Sequence, residues 1–205
     1  MTIETWLAFM AASAVVLAVP GPTILLVIGQ SLGTGRRGAA PLVVGVALGD
    51  LTAITLSLAG LGAVLAASAT AFTIVKWLGA AYLVWLGVAL WRAPVPDSGT
   101  VPAALPARRA MRDAYVVTAL NPKSIAFFIA FVPQFVAREA AFAPQAAILI
   151  ATFVAMAATN AALYALLAGR LAAIVRRPAM RRMVNRMGGT MLIGAGVATA
   201  AMRRA

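Results

Sequence analysis

The sequence predicts an all-α membrane protein of six transmembrane helices, arranged as two inverted three-helix repeats with broken first and fourth helices. Three observations carry this reading: an excess of apolar residues, long stretches without charge, and proline breaks that recur at a fixed spacing. Of 205 residues, 63% are apolar and 11% charged, with a mean hydropathy of +0.96. Soluble domains carry about 25% charged residues, and a chain of this length buries about 70% of its surface on folding. The apolar surplus must therefore face lipid. Short segments of alternating polarity, which would suggest an outer-membrane barrel, are not evident.

The elements follow from charge and punctuation. No charged residue occurs between Glu4 and Arg36, between Asp50 and Lys76, or between Glu139 and Arg170. About 20 helical residues cross a bilayer core, so each stretch can hold a span. Spans are expected at about 4–30, 41–66, 71–91, 114–136, 144–169 and 187–202, with ends uncertain by about three residues. Gly33 to Gly38 separates the first two, and Arg176-Arg177-Pro178 marks the fifth loop. The segment from Ala93 to Pro106 holds four prolines. The chain thus divides into a first repeat over residues 1–92, a cytoplasmic linker over 93–113 and a second repeat over 114–205.

Lys and Arg fix the orientation, because cytoplasmic loops are enriched in both. Twelve lie in the loops after spans one, three and five, from Arg36 to Arg186, against four (Lys76, Arg138, Arg203 and Arg204) on the other side. Both termini are therefore expected in the periplasm, with the chain in a bacterial inner membrane. Met1 to Phe9 carries no Lys or Arg, so the first apolar run is read as a retained helix rather than a signal peptide.

Several function classes fall away. The net charge of +12 lies in short loops, not along a helix face with interleaved aromatics, so nucleic acid is not an expected partner. With no Cys and no His, disulfides, thiol relays and a transition-metal centre are not expected, and no cofactor is implied. A membrane-embedded enzyme would need a nucleophile–base or metal constellation that is not evident. A non-transporting membrane scaffold is the other alternative.

An internal repeat points elsewhere. At an offset of 109, Leu83 falls on Leu192 and Gly87-Val88-Ala89 on Gly196-Val197-Ala198. Gly21-Pro22 and Asn121-Pro122 are 100 apart, and Asp50 and Asn160 are 110 apart. Three helices per repeat is odd, so the second copy inserts upside down. Such repeats mark secondary transporters, with the site near the midplane between them. Chance similarity among Gly/Ala-rich helices is the competing explanation.

Candidate site residues follow from depth and backbone breakage. Pro20-Gly21-Pro22 removes two backbone donors from an apolar helix, and freed backbone groups at membrane depth must be buried in protein or line a cavity. A structural kink is the simpler alternative. Asn121-Pro122-Lys123 interrupts the fourth span similarly. Lys123 lies about ten residues, roughly 15 Å, beyond Asp113, where a lysine needs a partner or water. Asp50 lies about nine residues, roughly 13 Å, beyond Pro41 from the same side, beside small residues that admit a close neighbour. A static Asp50–Lys123 pair and a transport role for the two both remain open. Asn160 lies at a comparable level and adds an amide.

Together these stretches resemble the lysine exporter / threonine–homoserine efflux family. The matches are Pro20-Gly21-Pro22, Gly45-Val46-Ala47-Leu48-Gly49-Asp50, Lys76 through Gly87, and Asn121-Pro122-Lys123 followed by Phe131-Val132-Pro133-Gln134-Phe135. They come in family order over roughly residues 1–136, while the sixth helix fits loosely and the fifth offers little beyond Asn160. The resemblance implies proton-coupled antiport of amino acids or related small solutes outward across the bilayer. Asp50 would then be the proton-linked carboxylate. The helix breaks at Pro20, Gly21, Pro22, Asn121 and Lys123 would meet the two charged ends of the substrate. The solute and any homo-oligomeric state are left open.

Overall fold

The structure, a computed structural model, describes residues 1–34, 38–67, 69–92, 105–137, 140–170 and 178–201. The chain forms α1 (Ile3–Ala18), α2 (Pro22–Thr34), α3 (Ala39–Ala67), α4 (Ala69–Arg92), α5 (Ala107–Ala119), α6 (Pro122–Ala130), a 3-10 turn (Val132–Phe135), α7 (Phe142–Leu166) and α8 (Pro178–Ala201), with no strand among the described residues.

Local sequence sets the ends that matter. Thr2 caps α1, its hydroxyl accepting from the Thr5 amide at 3.3 Å. The helix stops at Ala18 because a residue before proline avoids the α conformation, and Val19 is extended at φ −81°, ψ 111°. Pro22 then opens α2, the position where its missing N–H costs nothing. At the second break Asn121, before Pro122, is extended at φ −69°, ψ 111° and caps α6. The chain turns by 57° at the first break and by 43° at the second.

Over the described residues, two helices are long and apolar enough to cross a membrane, Ala39–Gly60 and Phe142–Leu166. Counting each bent pair as one broken span gives up to four, and α4 contributes a shorter apolar stretch, Trp77–Ala89. Two expected boundaries are corrected. The fourth helix begins at Ala107, not near 114, so the expected linker over 93–113 ends in helix. Arg109 and Asp113 pair four apart at 3.8 Å, and Arg112 reaches Asp113 at 2.9 Å, which supports helix through a segment too polar for lipid. The last helix begins at Pro178 rather than 187, so Arg181, Arg182 and Arg186 belong to a helix and not to a loop. Arg186 stacks on Trp91, 5.0 Å from the ring centre. The linker over 93–104, Arg36, Arg37, Arg138, Arg176, Arg177, Arg203, Arg204 and the Lys76 side chain lie outside the described residues.

Two apolar clusters bracket the centre. One joins α1, α3, α6 and α7 through Phe9, Ile54, Phe127, Phe128, Leu149 and Phe153, with Phe128 edge-on to Phe153 at 4.8 Å. The other joins α2, α3, α5 and α7 through Val27, Leu42, Val46, Ala114 and Ala161. Small residues let α3 and α5 meet backbone to side chain. A methyl group on Gly49 would lie 2.8 Å from the Tyr115 carbonyl, and one on Gly45 would run into the Met111 carbonyl. The α4–α8 pair is built likewise: added methyl groups would stand 2.6 Å from the Gly189 carbonyl at Gly87, and 2.7 Å from the Ala80 carbonyl at Gly196.

Candidate functional site

Where the two clusters part, both helix breaks open onto one small cavity. Gly21, Thr23, Val46, Asp50, Asn121, Lys123, Ser124, Phe153 and Asn160 are among the residues that line it. Its volume is about 30 Å³, enough for one or two waters, each of which needs about 10–15 Å³. Pockets that hold small ligands run to about 300–1,000 Å³. The cavity is closed to a solute in this conformation.

The end of α1 organises the site. A helix leaves its last carbonyls without partners inside the helix, and the proline break prevents the chain from supplying them. Side chains from α6 and α7 do so instead. Lys123 Nζ donates to the carbonyls of Val16 at 3.0 Å and Val19 at 2.9 Å. Asn160 Nδ2 donates to the Leu17 carbonyl at 3.1 Å, and the Tyr164 hydroxyl to the Ala18 carbonyl at 2.9 Å. Four successive carbonyls are thereby engaged, with a cation at the negative end of the helix dipole.

The second break is capped by its own residue and tied across to the start of α2. Asn121 Oδ1 accepts from the Lys123 amide at 3.1 Å, and its Nδ2 donates to the Thr23 hydroxyl at 3.3 Å. Thr118 donates to the same Thr23 oxygen at 3.3 Å, tying the start of α2 to the end of α5.

Asp50 stands apart. It is 4% exposed, and its Oδ1 has no hydrogen-bond partner. Among the described residues the ion pairs within 4 Å are those of Arg109 and Arg112 with Asp113; none joins Asp50 to Lys123. The two share the cavity without forming a contact pair. A carboxylate buried with an unsatisfied oxygen is costly when charged.

The structure thus gathers Gly21, Asp50, Asn121, Lys123 and Asn160 around one space. Pro20 and Pro22 shape the break without lining the cavity. Tyr164, Thr23 and Thr118 escaped the sequence reading. Tyr164 had a usable signal, since it follows Asn160 by four residues and so shares its helix face.

A helical membrane protein with charged and amide side chains gathered at two broken helices is what this fold and site define. The chain belongs to the LysE type translocator family, whose family model matches residues 14–203. It is 35% identical over 198 residues to an uncharacterized membrane protein of Vibrio cholerae, covering 96% of this chain and 97% of that one. It is 34% identical to a homoserine/homoserine lactone efflux protein of Salmonella typhi over 203 residues, 98% of each chain. A leucine efflux protein of Salmonella choleraesuis is 30% identical over 129 residues, 62% of this chain and 61% of that one. No solved structure matches.

Proposed function

We propose that this protein exports a small zwitterionic, amino-acid-like solute in exchange for protons, working as a carrier and not as an enzyme. The observation that carries the proposal is Asp50, buried with an unpartnered oxygen on a closed cavity that also holds Lys123 and both helix breaks. The relatives named for efflux of homoserine/homoserine lactone and of leucine support solutes of that size, and homoserine and leucine are zwitterions.

Each group has a role that its chemistry suits. Asp50 takes up and releases the proton. The first turns of α2 and α6 offer amides, and Lys123 a positive charge, to a substrate carboxylate. The α1 carbonyls and Asn160 suit the substrate ammonium. Because the cavity is too small to hold a solute, loading requires the helices around the breaks to separate, as in alternating access.

The wider architecture proposed is six spans in a bacterial inner membrane, with residues 1–92 and 114–205 as inverted repeats and both termini periplasmic. One pair of contacts supports the repeat. Gly87 meets Gly189, and shifting each residue by the offset of 109 gives Gly196 meeting Ala80, which is the other close approach between α4 and α8. An internal two-fold relation produces such reciprocity.

Proteoliposomes test the function directly. Homoserine and leucine counterflow is expected, with accumulation driven by an imposed pH gradient. Asp50→Asn is expected to reduce gradient-driven transport to background while the protein stays folded in the membrane. Accumulation by that variant at the normal rate would remove Asp50 as the coupling group. A periplasm-dependent reporter should be active when fused at Ala205 and silent at Ser98; the opposite pattern would overturn the orientation.

A further inference from the structure

Apart from this cavity, a second and larger hollow lies along the seam between α3 and α5. It measures about 690 Å³ and is lined by Leu48, Arg108, Arg109, Met111, Arg112 and Tyr115, with Pro106 at its end. It exists because Gly45 and Gly49 draw α3 against α5, leaving the flanking side chains to form the walls of a groove. Three guanidinium groups stand at one end. Among the described residues Asp113 is the one acidic side chain that engages them, through Arg109 and Arg112, which leaves two positive charges in excess among those residues.

Beyond the arginines the groove turns apolar. Leu48, which lines it, is 45% exposed, and Val44 and Leu51 on α3, Val116 on α5 and Leu120 just past the end of α5 are exposed too. Val116 and Leu120 follow Arg112 by one and two helical turns, about 6 and 12 Å along the axis. A cationic rim above an apolar strip has the polarity order of a phospholipid. A soluble anion would match the rim and leave the strip unoccupied.

The geometry points to a binding groove for an anionic phospholipid, with its phosphate on Arg108 and Arg112 and an acyl chain along Leu48, Met111 and Tyr115. Guanidinium suits this task because its planar fork presents paired donors to phosphate oxygens; Arg112 gives Nε and Nη2 to Asp113 at 3.1 and 2.9 Å and would offer the phosphate its remaining nitrogen, and basic pockets between helices at the membrane boundary take anionic headgroups. The lipid would brace the seam that carries Asp50. The inference does not depend on the transport reading.

Native mass spectrometry of the full-length protein, released from bilayers of equal parts phosphatidylglycerol and phosphatidylcholine, tests it. The wild type is expected to retain phosphatidylglycerol with about fivefold or greater preference. Arg108→Gln with Arg112→Gln should remove that preference. Arg170→Gln with Arg182→Gln, which takes two exposed charges from elsewhere, should leave it intact. Leu48→Trp keeps every charge while filling the groove, and should lower retention of both lipids. Equal retention of the two lipids by the wild type would overturn the proposal. So would equal loss of preference in both arginine pairs, or unchanged retention in Leu48→Trp.

Discussion

At the first break the chain turns by 57° between α1 and α2, and at the second by 43° between α5 and the segment that follows it. Both follow from prolines, but they are held by different means. The end of α1 is completed by side chains more than 100 residues away, Lys123, Asn160 and Tyr164. The second break is completed mostly by its neighbours, with Asn121 capping α6 and the Leu120 amide returning to Val116. A break held from a distance changes when the two halves move apart, whereas one held locally travels as a unit. In the proposed transport cycle, the first break is therefore the one whose partners would be exchanged for a solute to enter.

Substitutions can test that difference, starting with the largest effect. Lys123→Met removes two charge-assisted hydrogen bonds from the α1 end and is expected to cost about 3–5 kcal/mol of stability, read by thermal unfolding in detergent. Adding Asp50→Asn should recover less than half of that loss, because the partners of Lys123 are carbonyls. Full recovery would mean that the two act as an ion pair after all. Next, Asn160→Leu and Tyr164→Phe should each cost about 1 kcal/mol and together raise hydrogen exchange in the last turn of α1. If exchange rises equally at the end of α5, the two breaks are not independent.

The smallest effect is expected at the self-contained break. Asn121→Ala loses an N-cap worth about 1 kcal/mol, and Asn121→Ser, which keeps a capping oxygen, should recover most of it. Both should leave the α1 end unchanged. A loss at Asn121→Ala as large as that at Lys123→Met would erase the distinction.

The breaks and the deep charges were legible in the sequence because proline and intramembrane charge have few structural meanings. Pro20-Gly21-Pro22 and Asn121-Pro122 lie where the helices divide; counting residues put Asp50 and Lys123 at a similar depth, and both line one cavity. The partner of Lys123 was not legible. Opposite charge suggests Asp50, but a carbonyl at a broken helix end leaves no trace in side-chain chemistry. The helix starts at Ala107 and Pro178 were missed for another reason. Arginines were read as loop markers, yet a helix continues past the lipid boundary when its charges pair with each other or stack, as Arg109 and Arg186 do.

The glycines ahead of Asp50 have one more consequence. Helices that interlock through large side chains must lift out of register before they shift, whereas at Gly45 and Gly49 the side chains that α3 meets on α5 are the small ones of Ala114 and Thr118. Such a seam is a smooth rail, along which one helix can slide past the other in small shear steps. Asp50 is the residue directly beyond that rail, and the second break follows at the far end of α5. A slide of a single residue, about 1.5 Å, would move the carboxylate relative to the cavity it lines while drawing Leu42 and Val46 past Ala114 within the same apolar cluster.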